Sequence, residues 1–394
     1  MSDGPLFRSF FLGGFECSTH RLAGGRRLDM VAATAHDRFV AEDYARLGDH
    51  GIRAVREGVR WHLIEPTPGR FDFATVRPIL RAARRSGVQV IWDLLHYGWP
   101  DDLDIFGPDF APRFGRLARA FAGVLAAESA ETPWVAPVNE ISFLAWKGGE
   151  VAEINPFARS RGHELKVRLV AAAIAAIEAV WSIAPGTRIA QVDPVFHVIA
   201  HPDRPGEAPL AEAYRLAQYQ AWDMLGGRLF PELGGRPEYL DVIGVNYYPW
   251  NQWIYNGGAA DGTTIEPDHA GYRPFREILR EVADRYGRPV FVAETGTEGD
   301  ARAGWLRAVG EEVRAALRDG VDVAGLCLYP IVDFPGWDND RHCHNGLWDY
   351  ADAAGHRPIH PPYADELARQ RRSIEAEARA RAGPLGCRPS FAAG

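Results

Sequence analysis

Two glutamates, Glu140 and Glu294, each close a short apolar run: Trp134-Val135-Ala136-Pro137-Val138-Asn139-Glu140 and Pro289-Val290-Phe291-Val292-Ala293-Glu294-Thr295-Gly296. An apolar strand that finishes on a carboxylate, twice, about 150 residues apart, sets two acids where a parallel barrel opens its active site. A facing pair of carboxylates is the apparatus of glycosidic bond cleavage.

The elements that must position them are legible as β-branched or aromatic runs alternating with longer helical stretches. The strands are expected over Phe10–Cys17, Ile52–Val59, Val88–Leu95, Trp134–Ile141, Arg188–Pro194, Leu240–Tyr248, Val290–Thr295 and Val323–Ile331. Helices over Phe110–Ser129, Glu164–Ala184 and Arg302–Asp319 carry apolar residues at spacings of three and four. Gly51, Gly87, Gly287 and Gly320 fall just before strands, where helices should stop. Eight such units predict a single (β/α)8 TIM barrel over residues 1–382, with elaborated loops at its C-terminal face and a frayed tail over 383–394. A doubly wound sheet would carry a glycine-rich phosphate turn after its first strand, and the chain has no G-x-G-x-x-G and no G-x-x-x-x-G-K.

In a barrel the strand ends share one mouth. It should collect Glu16 and His20, Arg56, Asp93 and His96, Asn139 and Glu140, Asn246 and Tyr248, Glu294, Tyr329 and Asp333. So many titratable groups on an apolar scaffold mark a working site. Arg56 and Glu57 are adjacent on a strand and must face opposite ways, so Arg56 goes to the mouth and Glu57 to a helix.

With 394 residues and a formal net charge of −8, the chain has no basic block or stripe, which excludes nucleic acid and anionic membranes as partners. Cys17, Cys327, Cys343 and Cys387 show no paired spacing and read as reduced thiols. No leader-like or membrane-spanning run is found, and the expected location is cytoplasmic.

From about Phe10 to Tyr350 the chain resembles glycoside hydrolase clan A, and within it the family 1 β-glucosidase-like enzymes. The resemblance rests on six landmarks in order: Phe11-Leu12-Gly13-Gly14, Arg56 followed by Trp61, Leu95-His96-Tyr97-Gly98-Trp99-Pro100, Asn139-Glu140, Gly244-Val245-Asn246-Tyr247-Tyr248 and Ala293-Glu294-Thr295-Gly296, with Asn345-Gly346-Leu347-Trp348-Asp349 beyond the eighth strand. It implies a retaining β-glycosidase without a cofactor or metal. Glu294 would be the nucleophile, held by Arg56 and Tyr248, and Glu140 the acid/base, with the two carboxyls roughly 5–5.5 Å apart. Asn139, His96, Trp99, Asn246 and Tyr329 would bind the sugar. The partner would be a small glycoside, the chain itself a monomer or homo-oligomer, and exo action is expected because the Trp250–Gly271 and Asp333–Asn345 segments are long enough to close the mouth.

The departures concern recognition. Gly336, in Asp333-Phe334-Pro335-Gly336-Trp337, stands where the family has an acid near a Trp; His20 or Arg21 stands at a first-strand Gln; and Tyr329 replaces a Trp. Glu16, His20, Asp338 and Asn339 are expected to take over the choice of sugar, beside Trp337. Asp338, Asp340, His342, Cys343 and His344 offer metal ligands, but their spacing fits no standard zinc pattern, and the segment reads as a polar loop over the mouth. Trp250, Trp253 and Tyr255 either form an aglycone platform or pin a long loop. Transglycosylation would use the same glutamates. A non-catalytic sugar-binding barrel would have lost a carboxylate or a group that tunes one, whereas this chain keeps all four.

Overall fold

The structure is a computed structural model that describes residues 5–129, 131–257, 262–337 and 339–382. The tail expected to fray, 383–394, and Cys387 within it lie outside the described residues, as does Asp338. Eight parallel strands close on themselves in sequence order: β1 (Phe11–Gly14), β2 (Ala54–Gly58), β3 (Gln89–Asp93), β4 (Trp134–Ala136), β5 (Arg188–Pro194), β6 (Val242–Asn246), β7 (Val290–Thr295) and β8 (Val323–Leu328). The barrel shuts where β1 pairs with β8, Phe11 against Leu326 and Gly13 against Leu328.

All eight expected strands are present. Several are shorter than their apolar runs, because Cys17 and Leu95 lie beyond the last ladder bond, in the loops of the mouth, and Ile141 opens a short helix. The helices follow in alternation: α1 (His36–Leu47), α2 (Arg77–Ser86), α3 (Phe110–Glu128), α4 (Gly162–Trp181), the pair α5 (Ala208–Leu216) and α6 (Gln220–Leu225), α7 (Phe275–Tyr286), α8 (Ala301–Arg318) and α9 (Pro361–Ala382). The helix-stopping glycines behave as expected: Gly87 and Gly287 cap α2 and α7 at φ of 64° and 62°, a conformation that costs other residues strain.

Side chains alternate between two cores. Leu12, Ala54, Ile91, Ala136, Ala190, Val242, Phe291, Ala293 and Cys327 fill the barrel interior, and Phe7 plugs its lower end against Trp134 and Phe291 at ring distances of 5.0 and 5.1 Å. The alternate strand residues pack outward on the helices. Period two sends Arg56 into the mouth and Glu57 outward, where it meets His36 and Tyr44 of α1. Two segments after the barrel strands add a small parallel pair, His197–Ile199 with Gln252–Ile254. Within it Trp253 packs on Phe196 and Tyr214, and Tyr255 on Tyr214, so these two aromatics pin the loop. Trp250 is 61% exposed and lies parallel to the Tyr248 ring at 5.4 Å, so it is not among the residues that pin the loop.

Candidate active site

Strict alternation along β7 would bury Glu294 on the wrong side, since Ala293 before it already points into the barrel. The ladder slips there instead. On one side Val245 pairs with Val292 but Asn246 with Glu294; on the other Leu326 pairs with Val292 but Leu328 with Thr295. This one-residue irregularity re-aims the carboxylate into the mouth, as bulges beside active sites do. Both its oxygens are then engaged: Arg56 Nη1 donates to Oε1 and the Tyr248 hydroxyl to Oε2, each at 2.8 Å.

Arg56 is fully buried and touches four acceptors. Besides Glu294, it donates to Ala293 O at 3.0 Å, Asp93 Oδ2 at 2.5 Å and Asn139 Oδ1 at 2.8 Å. Asn139, fixed by that bond, turns its amide nitrogen to His96 Nε2 at 3.0 Å and the Tyr97 hydroxyl at 3.1 Å. His96 Nδ1 lies 3.2 Å from Asp93 Oδ2, whose charge raises the imidazole's affinity for a proton against the effect of burial.

Glu140 follows β4 with a backbone φ of 46°, a left-handed conformation that is uncommon for glutamate and concentrates at functional sites. Its carboxyl accepts from Asn246 Nδ2 at 2.8 Å and from the Tyr97 hydroxyl. Burial and the charge of Glu294 push its pKa up to about 8, against the opposing effect of those two donors. Burial also raises Glu294, while Arg56 and then His96 hold it down. Burial thus raises both carboxyls, and Glu294 differs from Glu140 in having a cation beside it.

Most residues expected at the mouth meet there. Glu16 is 6% exposed; it accepts from the Ser18 N–H at 2.9 Å and lies 3.8 Å from His96 Nε2. His20 packs on Trp337 at 4.3 Å, and Trp337 in turn meets Tyr97 and Phe143 edge-on, forming an aromatic wall. Tyr329 lies over the Arg56 guanidinium at 5.2 Å and nearly parallel to His96. Gly14 makes room for it, since a Cβ there would come within 2.0 Å of the Tyr329 ring.

Two residues expected to bind sugar have protein partners here. The Trp99 indole N–H donates to Leu103 O at 3.0 Å and its ring packs on Phe110. The Asn246 amide nitrogen donates to Glu140, while its Oδ1 has no partner among the described residues. Tyr97 was missed; its position directly after His96 in the third-strand turn was the available signal. Asp340 leaves the loop cluster to pair with Arg26.

Buried polar atoms without a hydrogen-bond partner among the described residues gather around this mouth: both ring nitrogens of His20, Ser18 Oγ, Asn246 Oδ1 and Asp93 Oδ1. Burial, followed by His96 and the more distant Lys147 and Arg27, lowers the His20 pKa to about 3, so the ring is neutral and offers one donor and one acceptor.

Comparison with known structures gives the same architecture. A family 1 β-glucosidase from Thermotoga maritima superposes with a TM-score of 0.77 at 16% identity, covering 94% of this chain and 99% of that one. Its complex with glucoimidazole gives 0.76 at 16% identity, covering 94% and 98%. The AHE enzyme from Alicyclobacillus herbarius gives 0.75 at 17% identity, covering 94% and 98%. The fold is that of the family 1 β-glucosidases. Among curated proteins, the aryl-phospho-β-D-glucosidase BglC of Bacillus subtilis is 35% identical over 72 residues, 16% of this chain and only 15% of that protein's length. No family model matches the chain.

Within the loop after β8, Gly336 lies close against the Asn339 side chain. A Cβ on Gly336 would stand 2.4 Å from Asn339 Oδ1. Asn339 therefore occupies the space that a side chain at 336 would need. Among the described residues, no helix is long and apolar enough to cross a membrane.

Proposed function

We propose that this chain is a retaining β-glycosidase that removes single sugars from small glycosides. The observation that carries the reading is the difference in what faces two carboxyls that burial raises alike: Glu294 has the Arg56 cation and the Tyr248 hydroxyl on its oxygens, whereas Glu140 has only the neutral donors Asn246 and Tyr97 and is pushed up to about 8. Glu294, ionised, attacks the anomeric carbon; the Glu140 proton passes to the leaving oxygen as the glycosidic bond breaks. Glu140, now a carboxylate, takes a proton from water as that water attacks the glycosyl ester and releases the sugar.

Asn139, oriented by Arg56, is placed to meet a hydroxyl beside the reacting carbon. The neutral His20 ring, with both nitrogens free, fits a pair of sugar hydroxyls, one accepting and one donating. The wall of Trp337, Tyr97 and Phe143 supports exo action, because it closes one side of the mouth. The cations near His20 already have carboxylate partners, Arg27 with Asp101 and Lys147 with Glu153. That pairing favours an unphosphorylated sugar.

The test is a panel of nitrophenyl gluco-, galacto-, manno-, fuco-, xylo- and arabinosides in both anomers, with 6-phospho forms included, against wild type and Glu294→Gln. Release of one β-configured sugar by wild type alone, with the product's first-formed anomer β by NMR, is the expected result. Inversion, or equal release by Glu294→Gln, would refute the double displacement.

A further inference from the structure

The loop that closes the mouth carries a second cluster that the glycosidase reading does not use. After β8 the chain forms a short antiparallel hairpin, Phe334–Pro335 against His342–Cys343, in which Pro335 pairs with His342 and Phe334 with Cys343. Alternate residues of an extended segment share a face, so His342 and His344 project together and Cys343 to the other side. Cys343 accordingly turns its sulfur to Arg341 O at 3.7 Å.

Two carboxylates meet the paired imidazoles. His342 Nε2 lies 2.9 Å from Asp333 Oδ2 and 3.1 Å from Asp349 Oδ1, and His344 Nδ1 lies 3.1 Å from the same Asp333 oxygen. One ligand atom from each of the four residues falls within 4.8 Å of every other. Hydrogen bonds alone satisfy this poorly. A neutral imidazole nitrogen carries at most one proton, yet His342 Nε2 faces two carboxylates, and protonating both rings would bring two cations to a ring separation of 4.0 Å.

We propose that Asp333, His342, His344 and Asp349 bind one zinc ion. Four nitrogen and oxygen donors are a closed tetrahedral set with zinc's ordinary ligands; around such an ion neighbouring donors stand about 3.3 Å apart, given bonds of about 2.0–2.1 Å. The three imidazole–carboxylate separations need open by only a few tenths of an ångström, and the other donor pairs already lie within 4.8 Å. The residues behind the donors are also of the right kind. Asp333 Oδ1 is occupied by the Gly346 N–H at 2.6 Å, with Arg302 3.7 Å away, which leaves Oδ2 for the metal; Tyr350 lies flat on the His342 ring at 4.0 Å. Asp333 is 1% exposed and His344 more than half exposed, so the ion would be seated from the loop's outer side. Its effect would be to tie the hairpin that carries Trp337 to the segment after it. This is a structural clasp that holds whether or not the barrel cuts glycosides.

The experiment is zinc chloride titration of the full chain after chelation and dialysis, followed by calorimetry and thermal unfolding, with cobalt chloride as a spectroscopic substitute. One zinc per chain, a raised unfolding midpoint, and visible cobalt bands of a four-coordinate nitrogen and oxygen site are expected. His344→Ala and Asp349→Asn, both at partly exposed positions, should weaken binding by at least about tenfold while leaving the zinc-free midpoint in place. Absence of saturable binding, binding unchanged in both variants, or a thiolate charge-transfer band pointing to Cys17 would each overturn the assignment.

Discussion

Asp93 and Glu294 share one guanidinium: Arg56 Nη2 meets Asp93 at 2.5 Å while Nη1 meets Glu294 at 2.8 Å. The cation is therefore countered twice, and its influence on Glu294, which is to favour the ionised form, is shared with Asp93. Burial still leaves its pKa above the usual carboxylate range.

Replacing Arg56 by Met removes the largest influence holding Glu294 down, so its pKa must rise. The nucleophile has to be ionised, and the acid limb of kcat/KM should move to higher pH, with kcat/KM falling at least about a hundredfold. Stability should drop by about 3–5 kcal/mol, the usual result of breaking a buried ion pair from one side. Arg56→Lys keeps the charge and should shift the limb less. An acid limb that stays put in both variants would exclude Glu294 as the titrating nucleophile.

Tyr97→Phe deletes a donor that favours the ionised form of Glu140. An acid must be protonated to act, so on the proposed role of Glu140 activity should decline as pH rises through about 8 in wild type. In the variant that alkaline limb should lie higher. A limb moving downward would show that Tyr97 acts in the opposite sense, and pH profiles of the two proteins side by side decide it.

His20→Phe preserves an aromatic ring against Trp337 but carries no nitrogen. If the His20 ring meets sugar hydroxyls, the loss of two hydrogen bonds should raise KM by roughly tenfold or more, at about 1 kcal/mol for each bond. Identical KM values for wild type and variant would remove His20 from recognition.

Away from the mouth, His36 lies between Glu57 and Asp43 at 2.9 and 2.8 Å, and Arg357 closes on Asp43 at 2.7 Å. Burial works against protonation, but the two carboxylates outweigh it and raise the His36 pKa to about 9. A histidine whose folded pKa lies above its unfolded value of about 6.5 stabilises fully below that value and loses the contribution as pH rises through about 9. The contribution is on the order of 3 kcal/mol. Urea midpoints from pH 6 to pH 10 should therefore fall more steeply for wild type than for His36→Gln; parallel curves would contradict the assignment.

The barrel strands were legible because a parallel strand buried on both faces is a continuous apolar run, and a polar residue at its end stands out. That is why Glu140, Glu294 and Arg56 could be read directly. Glu57 could be sent outward by period two alone, although its partner His36 could not be named, since that pairing depends on how α1 docks. The contact of Tyr97 with Glu140 could not be named for a similar reason, although Trp99 beside it was singled out. Both sit in one turn of aromatic residues, and only the turn's path, with Tyr97 at φ of 62°, decides which ring enters the mouth. The slip in register that aims Glu294 has no signature in the residues themselves. Strict alternation would have placed Ala293 in the mouth instead.

Closure of the barrel between β1 and β8 has a consequence for synthesis. Phe11–Gly14 leaves the ribosome early, yet one of its edges has no strand to pair with until Val323–Leu328 emerges. At about 5–20 residues per second that wait lasts roughly tens of seconds. Throughout it an apolar edge stays open, and for most of it Arg56 lacks the carboxylate of Glu294. The nascent chain should depend on chaperones over this interval, and pulse-labelled chains halted before residue 323 should be captured by them, whereas those released after residue 350 should not.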